Sequence, residues 1–233
     1  MTNESVPEPT SSRFDLSQDR EAAFDAAARA IGQGRCIVLP TDTVYGIGAD
    51  PFDPDAVQGL LNAKQRGRDM PPPVLIAEPA MLRALVDSVP DSAERLVSAF
   101  WPGALTLICK AQSELRMDLG TTHGTIAVRV PDDRNARDLL RHTGPLAVSS
   151  ANISGRPPAT TVDDASAMLG EAVAVYLDGG PTPGAVASTI IDFTGTATGR
   201  IVRAGVIPFE ELAEVAPGLV DLAPPAGEEE PDA

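Results

Sequence analysis

Polar clusters stand where apolar runs of this chain stop. They are PTDTVYG (40–46), KQRGRDMPPP (64–73), SSANISGRPPAT (149–160) and STIIDFT (188–194), joined by Arg129 in AVRVP and Arg203 in IVRAG. The first brings Thr41, Asp42, Thr43 and Tyr45 together after a run that reads as a buried strand. Hydroxyls and amides so placed orient a polar ligand by hydrogen bonds. Lys64, Arg66, Arg129 and Arg203 supply cations for carboxylates or phosphates, the arginines with a bidentate fork. In open α/β sheets such groups meet in the crevice at strand ends. Each cluster alone has a plainer reading. PTDTVYG is equally a turn with a hydrogen-bonded aspartate, KQRGR a solvated helix C-terminus, and SSANISG capping and turn chemistry. Arg129 alternates with Val128 and Val130, so it faces either solvent or a site.

Other chemistries lack their residues. There is no G-x-x-x-x-G-K-[ST] loop, no G-x-S-x-G elbow, and GQGRCI lacks the third glycine of a dinucleotide fingerprint. Cys36 and Cys109 sit in apolar runs and read as reduced core thiols, and with His123 and His142 they are too few for a zinc cluster. His123 and His142 read as surface or capping residues. No apolar run approaches the ~18 residues that span a bilayer. The N-terminus is polar and acidic rather than a signal peptide, so the expected location is the cytoplasm.

The elements that must position these groups alternate along the chain. A helix is expected over 14–34 with Asp15 and Gln18 at capping-box spacing, then a strand at RCIVL, a helix opening at Asp53–Pro54, and a strand at PVLIA. Helical patterns follow near 79–87, 91–99, 133–142 and 162–170. Strand patterns cover 105–111, 125–130, 146–151, 173–178, 188–194 and 200–205. The fold class is α/β, a twisted, mixed open sheet with helices packed on it in a single domain. The net charge of −15 is concentrated at the ends: residues 209–233 contribute −8 and residues 1–21 contribute −3, leaving −4 for the body. Residues 1–14 and the acidic 209–233 tail are expected to be largely disordered, with the catalytic domain at 15–208.

Taken together, PTDTVYGIGAD, AKQRGRDMPPPV, WPGALTLI, TIAVRVPD, SSANISGRPPATT, GAVASTIIDFT and RIVRAG resemble, in wording and order, the YrdC-like family of L-threonylcarbamoyladenylate synthases. The resemblance covers about residues 20–207. It implies the YrdC-like fold and a nucleotidyltransferase that joins L-threonine, bicarbonate or CO2, and ATP into threonylcarbamoyl-AMP and pyrophosphate. The product would pass to a separate tRNA threonylcarbamoyl-transferase complex, which modifies the adenosine 3′ of the anticodon in tRNAs reading codons that begin with A. Mg2+ would be carried by ATP rather than by a protein site. The resemblance makes Lys64 and Arg66 the catalytic, phosphate-facing pair. It puts Thr41, Tyr45, Arg129, Ser150 and Ser188 around threonine, and Thr125, Asn152, Thr160 and Arg203 with Lys64 and Arg66 around ATP. Gly46 and Gly48 would let backbone approach the ligand. The chain departs from the family at Gly67, where proline is frequent, and near Leu75, where some members carry a histidine. Longer members add a C-terminal domain that closes over the site, where this chain carries its acidic tail. The alternative is a non-catalytic RNA-binding module on the same fold; for the synthase, any RNA binding is expected to be weak.

Overall fold

Short apolar runs build one sheet, and amphipathic segments cover it. The computed structural model describes residues 11–222. In chain order the strands are β1 (Ser12–Asp15), β2 (Cys36–Leu39), β3 (Gly46–Ala49), β4 (Val74–Leu75), β5 (Leu105–Lys110), β6 (Thr125–Arg129), β7 (Leu146–Ser150), β8 (Val173–Asp178), β9 (Thr189–Asp192), β10 (Arg200–Arg203) and β11 (Val220–Asp221). The helices are α1 (Arg20–Gly32), α2 (Pro54–Ala63), α3 (Leu82–Leu85), α4 (Asp91–Phe100), α5 (Arg134–Thr143), α6 (Val162–Leu169) and α7 (Phe209–Val215).

The sheet is open and mixed, in the order β1-β8-β2-β3-β7-β4-β6-β5-β9-β10-β11. Pairs β1/β8, β2/β8, β4/β6, β5/β9 and β10/β11 are parallel, and the remainder are antiparallel. Alternation along the strands divides the core between two faces. Val38, Val74, Val128, Leu105 and Ile191 pack with α2, α3, α4, α6 and α7. Ile37, Leu39, Leu75, Leu146, Val148 and Val175 face the other way, toward α1 and α5. Among the described residues no helix is long and apolar enough to cross a membrane.

Three expectations are corrected. The first helix starts at Arg20 rather than near Phe14. Asp15 accepts hydrogen bonds from Ser17 N and Oγ and from the Gln18 side chain, which closes a turn after β1 instead of a capping box. Residues 12–14, expected to be disordered, belong to β1, which finds a parallel partner in β8. The ordered body also runs past 208. Leu212 and Ala216 on and after α7 are fully buried in the main core, and Leu219 is nearly so. Apolar burial at those positions outweighs the local acidity, because Glu210, Glu211 and Glu214 stay on the outer side. Residues 1–10 and 223–233, the remainder of both expected segments, lie outside the described residues.

Candidate functional site

A cavity of about 320 Å³ opens on the sheet face that carries α1 and α5, over the strands those helices leave uncovered. Alternation aims the lining residues there. Thr106 and Ile108 of β5, Ala127 and Arg129 of β6, and Leu75 of β4 line it, while Leu105, Leu107 and Val128 point into the opposite core. Pro71 to Pro73, Ile190 and Val148 add apolar wall. Arg66, Arg129 and Arg203 come from three distant segments to this one cavity, and no carboxylate is among its lining residues. Thr41, Tyr45, Thr125, Ser150 and Ser188 line it as well. Most of the expected site is therefore brought together.

Each arginine is held by neighbouring oxygens. Arg129 is buried, and donates from Nε to Gly103 O at 2.9 Å, from Nη1 to Thr43 Oγ1 at 3.0 Å and from Nη2 to Asp42 Oδ1 at 2.6 Å. Burial lowers its pKa, and the Asp42 charge pulls the other way. Thr43 Oγ1 also meets Thr41 Oγ1 at 3.1 Å, and Thr41 Oγ1 donates to Val44 O at 2.7 Å. Arg203 donates from Nε and Nη2 to Ser188 O and from Nη2 to Ser188 Oγ, whose hydroxyl lies 2.8 Å from Thr106 Oγ1. The Asp192–Arg200 ion pair ties β9 to β10 and so fixes the hairpin carrying Ser188 and Arg203. Arg66 Nη1 donates to Ser149 Oγ at 3.0 Å.

The end of α2 separates Lys64 from Arg66. Gln65 N bonds to Asn62 O and Arg66 N to Leu61 O, a Schellman ending with Gln65 at a left-handed φ of 54°. A position that favours glycine holds glutamine here, a local strain next to functional groups. After this turn Arg66 reaches the cavity, whereas Lys64 turns inward and is 2% exposed. Its Nζ donates to Ser150 O at 2.7 Å, Asn152 O at 2.9 Å and Asn152 Oδ1 at 3.1 Å.

Lys64, Asn152 and Thr160 are not among the residues of the cavity wall. Lys64 braces the loop after β7. Asn152 spends its amide on Ile153 O and Arg156 O. Thr160 accepts Thr182 N on its carbonyl, and its hydroxyl faces Asp164. Tyr45 lines the cavity, but its hydroxyl is committed to the Gly179–Gly180 turn, donating to Gly180 O and accepting from Gly179 N. Burial pushes that phenol up to about 12. Gly46 lines the cavity, and a Cβ there would come 2.6 Å from Val148 Cγ1, so sheet packing also calls for glycine at this position. The buried Cys36 and Cys109 thiols are pushed up to about 12 by desolvation, which leaves them unreactive.

Burial, and secondarily the Arg66 charge, pull the Lys64 ammonium down to about 7 from 10.5. Between those values the unfolded chain binds more protons than the folded one, so this group makes stability rise with pH through that window. The urea-unfolding free energy of wild type, compared with Lys64→Met, is expected to shift in favour of wild type between about pH 6 and about pH 9.5. A pH-independent difference would mean that the ammonium is not perturbed.

Sequence reasoning did not assign Asp42, Thr43, Thr106 and Ser149. A signal for Thr106 was present, since a hydroxyl alternates there with Leu105 and Leu107 in a strand. No local pattern marks Asp42 as the partner of a residue 87 positions away.

The Sua5/YciO/YrdC family model, described as telomere recombination, matches residues 29–205. A Mycobacterium tuberculosis relative provisionally named as a threonylcarbamoyl-AMP synthase is 50% identical over 198 residues, spanning 85% of this chain and 91% of its own. Pyrococcus abyssi Sua5, solved in complex with L-threonine, superposes with a TM-score of 0.85 at 32% identity, over 91% of this chain and 62% of that one. Escherichia coli YciO superposes with a TM-score of 0.76 at 25% identity, over 85% of this chain and 97% of that one.

Proposed function

The chain belongs to the Sua5/YciO/YrdC family and is an enzyme of the threonylcarbamoyl-AMP synthase kind; from that premise we propose that it joins L-threonine, bicarbonate or CO2, and ATP into threonylcarbamoyl-AMP with release of pyrophosphate. One observation carries the reading, the convergence of Arg66, Arg129 and Arg203 on a single hydroxyl-lined cavity. The threonine amine, in its neutral form, adds to CO2 and gives up a proton to water to become a carbamate. A carbamate oxygen then attacks the α-phosphorus, and the bond to the pyrophosphate breaks. Both reactants are anions and repel each other unless the site neutralises and aligns them, so positioning and electrostatics supply the catalysis. No nucleophilic side chain is needed.

Arg129, with Thr41, Ser150 and Ser188, holds threonine, and Tyr45 shapes that end. A relative solved with L-threonine supports threonine as a ligand of this fold. Arg66, Thr125 and Arg203 hold the nucleotide. Lys64 and Asn152 act by keeping the Ser150–Asn152 loop in place, and Thr160 meets the nucleotide only if its loop turns inward. Mg2+ arrives on the triphosphate. The product passes to a tRNA threonylcarbamoyl-transferase complex in the cytoplasm, for the adenosine 3′ of the anticodon. Pure protein given ATP, threonine and bicarbonate is expected to yield the adenylate by mass spectrometry, with pyrophosphate release that needs all three. Pyrophosphate release independent of threonine, or none, overturns the proposal.

A further inference from the structure

Arg129 sits in its strand with more partners than a guanidinium needs for charge balance alone. It has five N–H groups. Gly103 O, Thr43 Oγ1 and Asp42 Oδ1 each accept one, from Nε, Nη1 and Nη2 respectively. One N–H is left on each terminal nitrogen, and charge-assisted donors of this kind bind a carboxylate. Such donors discriminate only if the guanidinium plane is fixed. The Asp42 and Arg129 side chains are 14% and 7% exposed, so their pairing is shielded from solvent screening.

We propose that Asp42 is the positioning residue that turns Arg129 into a receptor for the amino-acid carboxylate. This rests on the assignment of Arg129 to threonine made above. Asp42 does two things through Arg129. Its ion pair, together with the Thr43 and Gly103 hydrogen bonds, pins the guanidinium plane and leaves one N–H on each terminal nitrogen for the ligand. Its charge also offsets the guanidinium, so this end of the cavity is nearly balanced. A zwitterion with a single carboxylate suits a balanced end; a triphosphate needs a larger surplus of positive charge. Threonine and nucleotide are thereby sorted to different ends of one cationic cavity.

The test compares L-threonine with L-threoninol, which has a hydroxymethyl group in place of the carboxylate. Calorimetric titration and KM values are measured for wild type, Asp42→Asn, Asp42→Ala, Arg129→Ala and the Asp42→Ala/Arg129→Ala double variant. Asp42→Ala is expected to weaken L-threonine about tenfold and Asp42→Asn somewhat less, in keeping with the loss of one charged hydrogen bond. Threoninol affinity and the KM for ATP should change by less than about twofold, and the double variant should bind threonine no more weakly than Arg129→Ala. Should Asp42→Ala fail to fold, the isosteric Asp42→Asn carries the comparison. If Arg129→Ala keeps wild-type threonine affinity, the assignment of Arg129 itself fails and the proposal with it. If Arg129→Ala loses threonine while both Asp42 variants keep the preference for threonine over threoninol, the positioning role alone is overturned. An equal loss of threonine, threoninol and ATP in Asp42→Asn also overturns it, since that is a general collapse of the site.

Discussion

Arg129→Ala loses L-threonine roughly tenfold to a hundredfold while ATP binding survives. The estimate is that of hydrogen bonds between charged groups, about 1.5–3 kcal/mol. The same substitution strips Asp42 of its partner. Breaking a buried ion pair by removing one side costs about 3–5 kcal/mol, which lowers the melting temperature by roughly 6–20 °C in a chain of this size. Arg129→Lys separates the two effects. It keeps a cation for Asp42 but has no fork, so it should fold nearly as well as wild type and still bind threonine poorly. Arg66→Ala gives the opposite selectivity. Arg66 stands on a Schellman turn at the cavity edge and touches Ser149, away from the Asp42–Thr43 cluster. Its loss should weaken ATP use and leave threonine binding nearly intact. Calorimetric titration of each ligand into each folded variant, with thermal melts alongside, checks both. Equal loss of both ligands in both variants would remove the separation of roles.

Leu212→Ala lowers the melting temperature by roughly 5–15 °C. Leu212 is fully buried in the core shared with α4, and Arg95 Nε donates to Val215 O across the same contact. Deleting a buried leucine side chain to alanine costs about 2–5 kcal/mol, and each kcal/mol is worth about 2–4 °C here. A chain ended after Pro208 should fall further, because it also loses Ala216, Leu219 and the β10/β11 pairing. The cavity lies on the opposite sheet face, so adenylate synthesis at low temperature should persist in Leu212→Ala. A melting temperature within about 2 °C of wild type for the shortened chain would return 209–222 to the status of a dispensable tail.

The sequence made legible the strands that carry an apolar or alternating run, and hid those that do not. β5, β6, β7 and β8 carry uninterrupted apolar or alternating runs, and their expected bounds agree with the structure to within a residue. GIGA gave no strand signal, because glycine is depleted from strands and the reason for it at Gly46 is the Val148 side chain on a neighbouring strand. β1 and β11 are short edge strands whose partners lie far along the chain or across a helix. The site followed the same division. Motif wording assembled most of the cavity wall, including Arg66, Arg129, Ser188 and Arg203. It could not say that Lys64 turns inward, since that depends on how α2 ends at Gln65. Nor could it pair Asp42 with Arg129, which only the sheet brings together.

The position of β8 has a consequence for biosynthesis. β8 lies between β1 and β2, and both pair with it in parallel. Ser11 bonds to Val173, 162 positions later. On a ribosome adding about 5–20 residues per second, the N-terminal strands therefore wait roughly ten to thirty seconds for their central partner. During that interval the fully apolar β2, Cys36–Leu39, has β3 on one edge and nothing on the other. Ser188 and Arg203 emerge later still. A ligand finds the cavity wall incomplete until Ser188 and Arg203 have been made, so the first strands of the nascent chain fold without one.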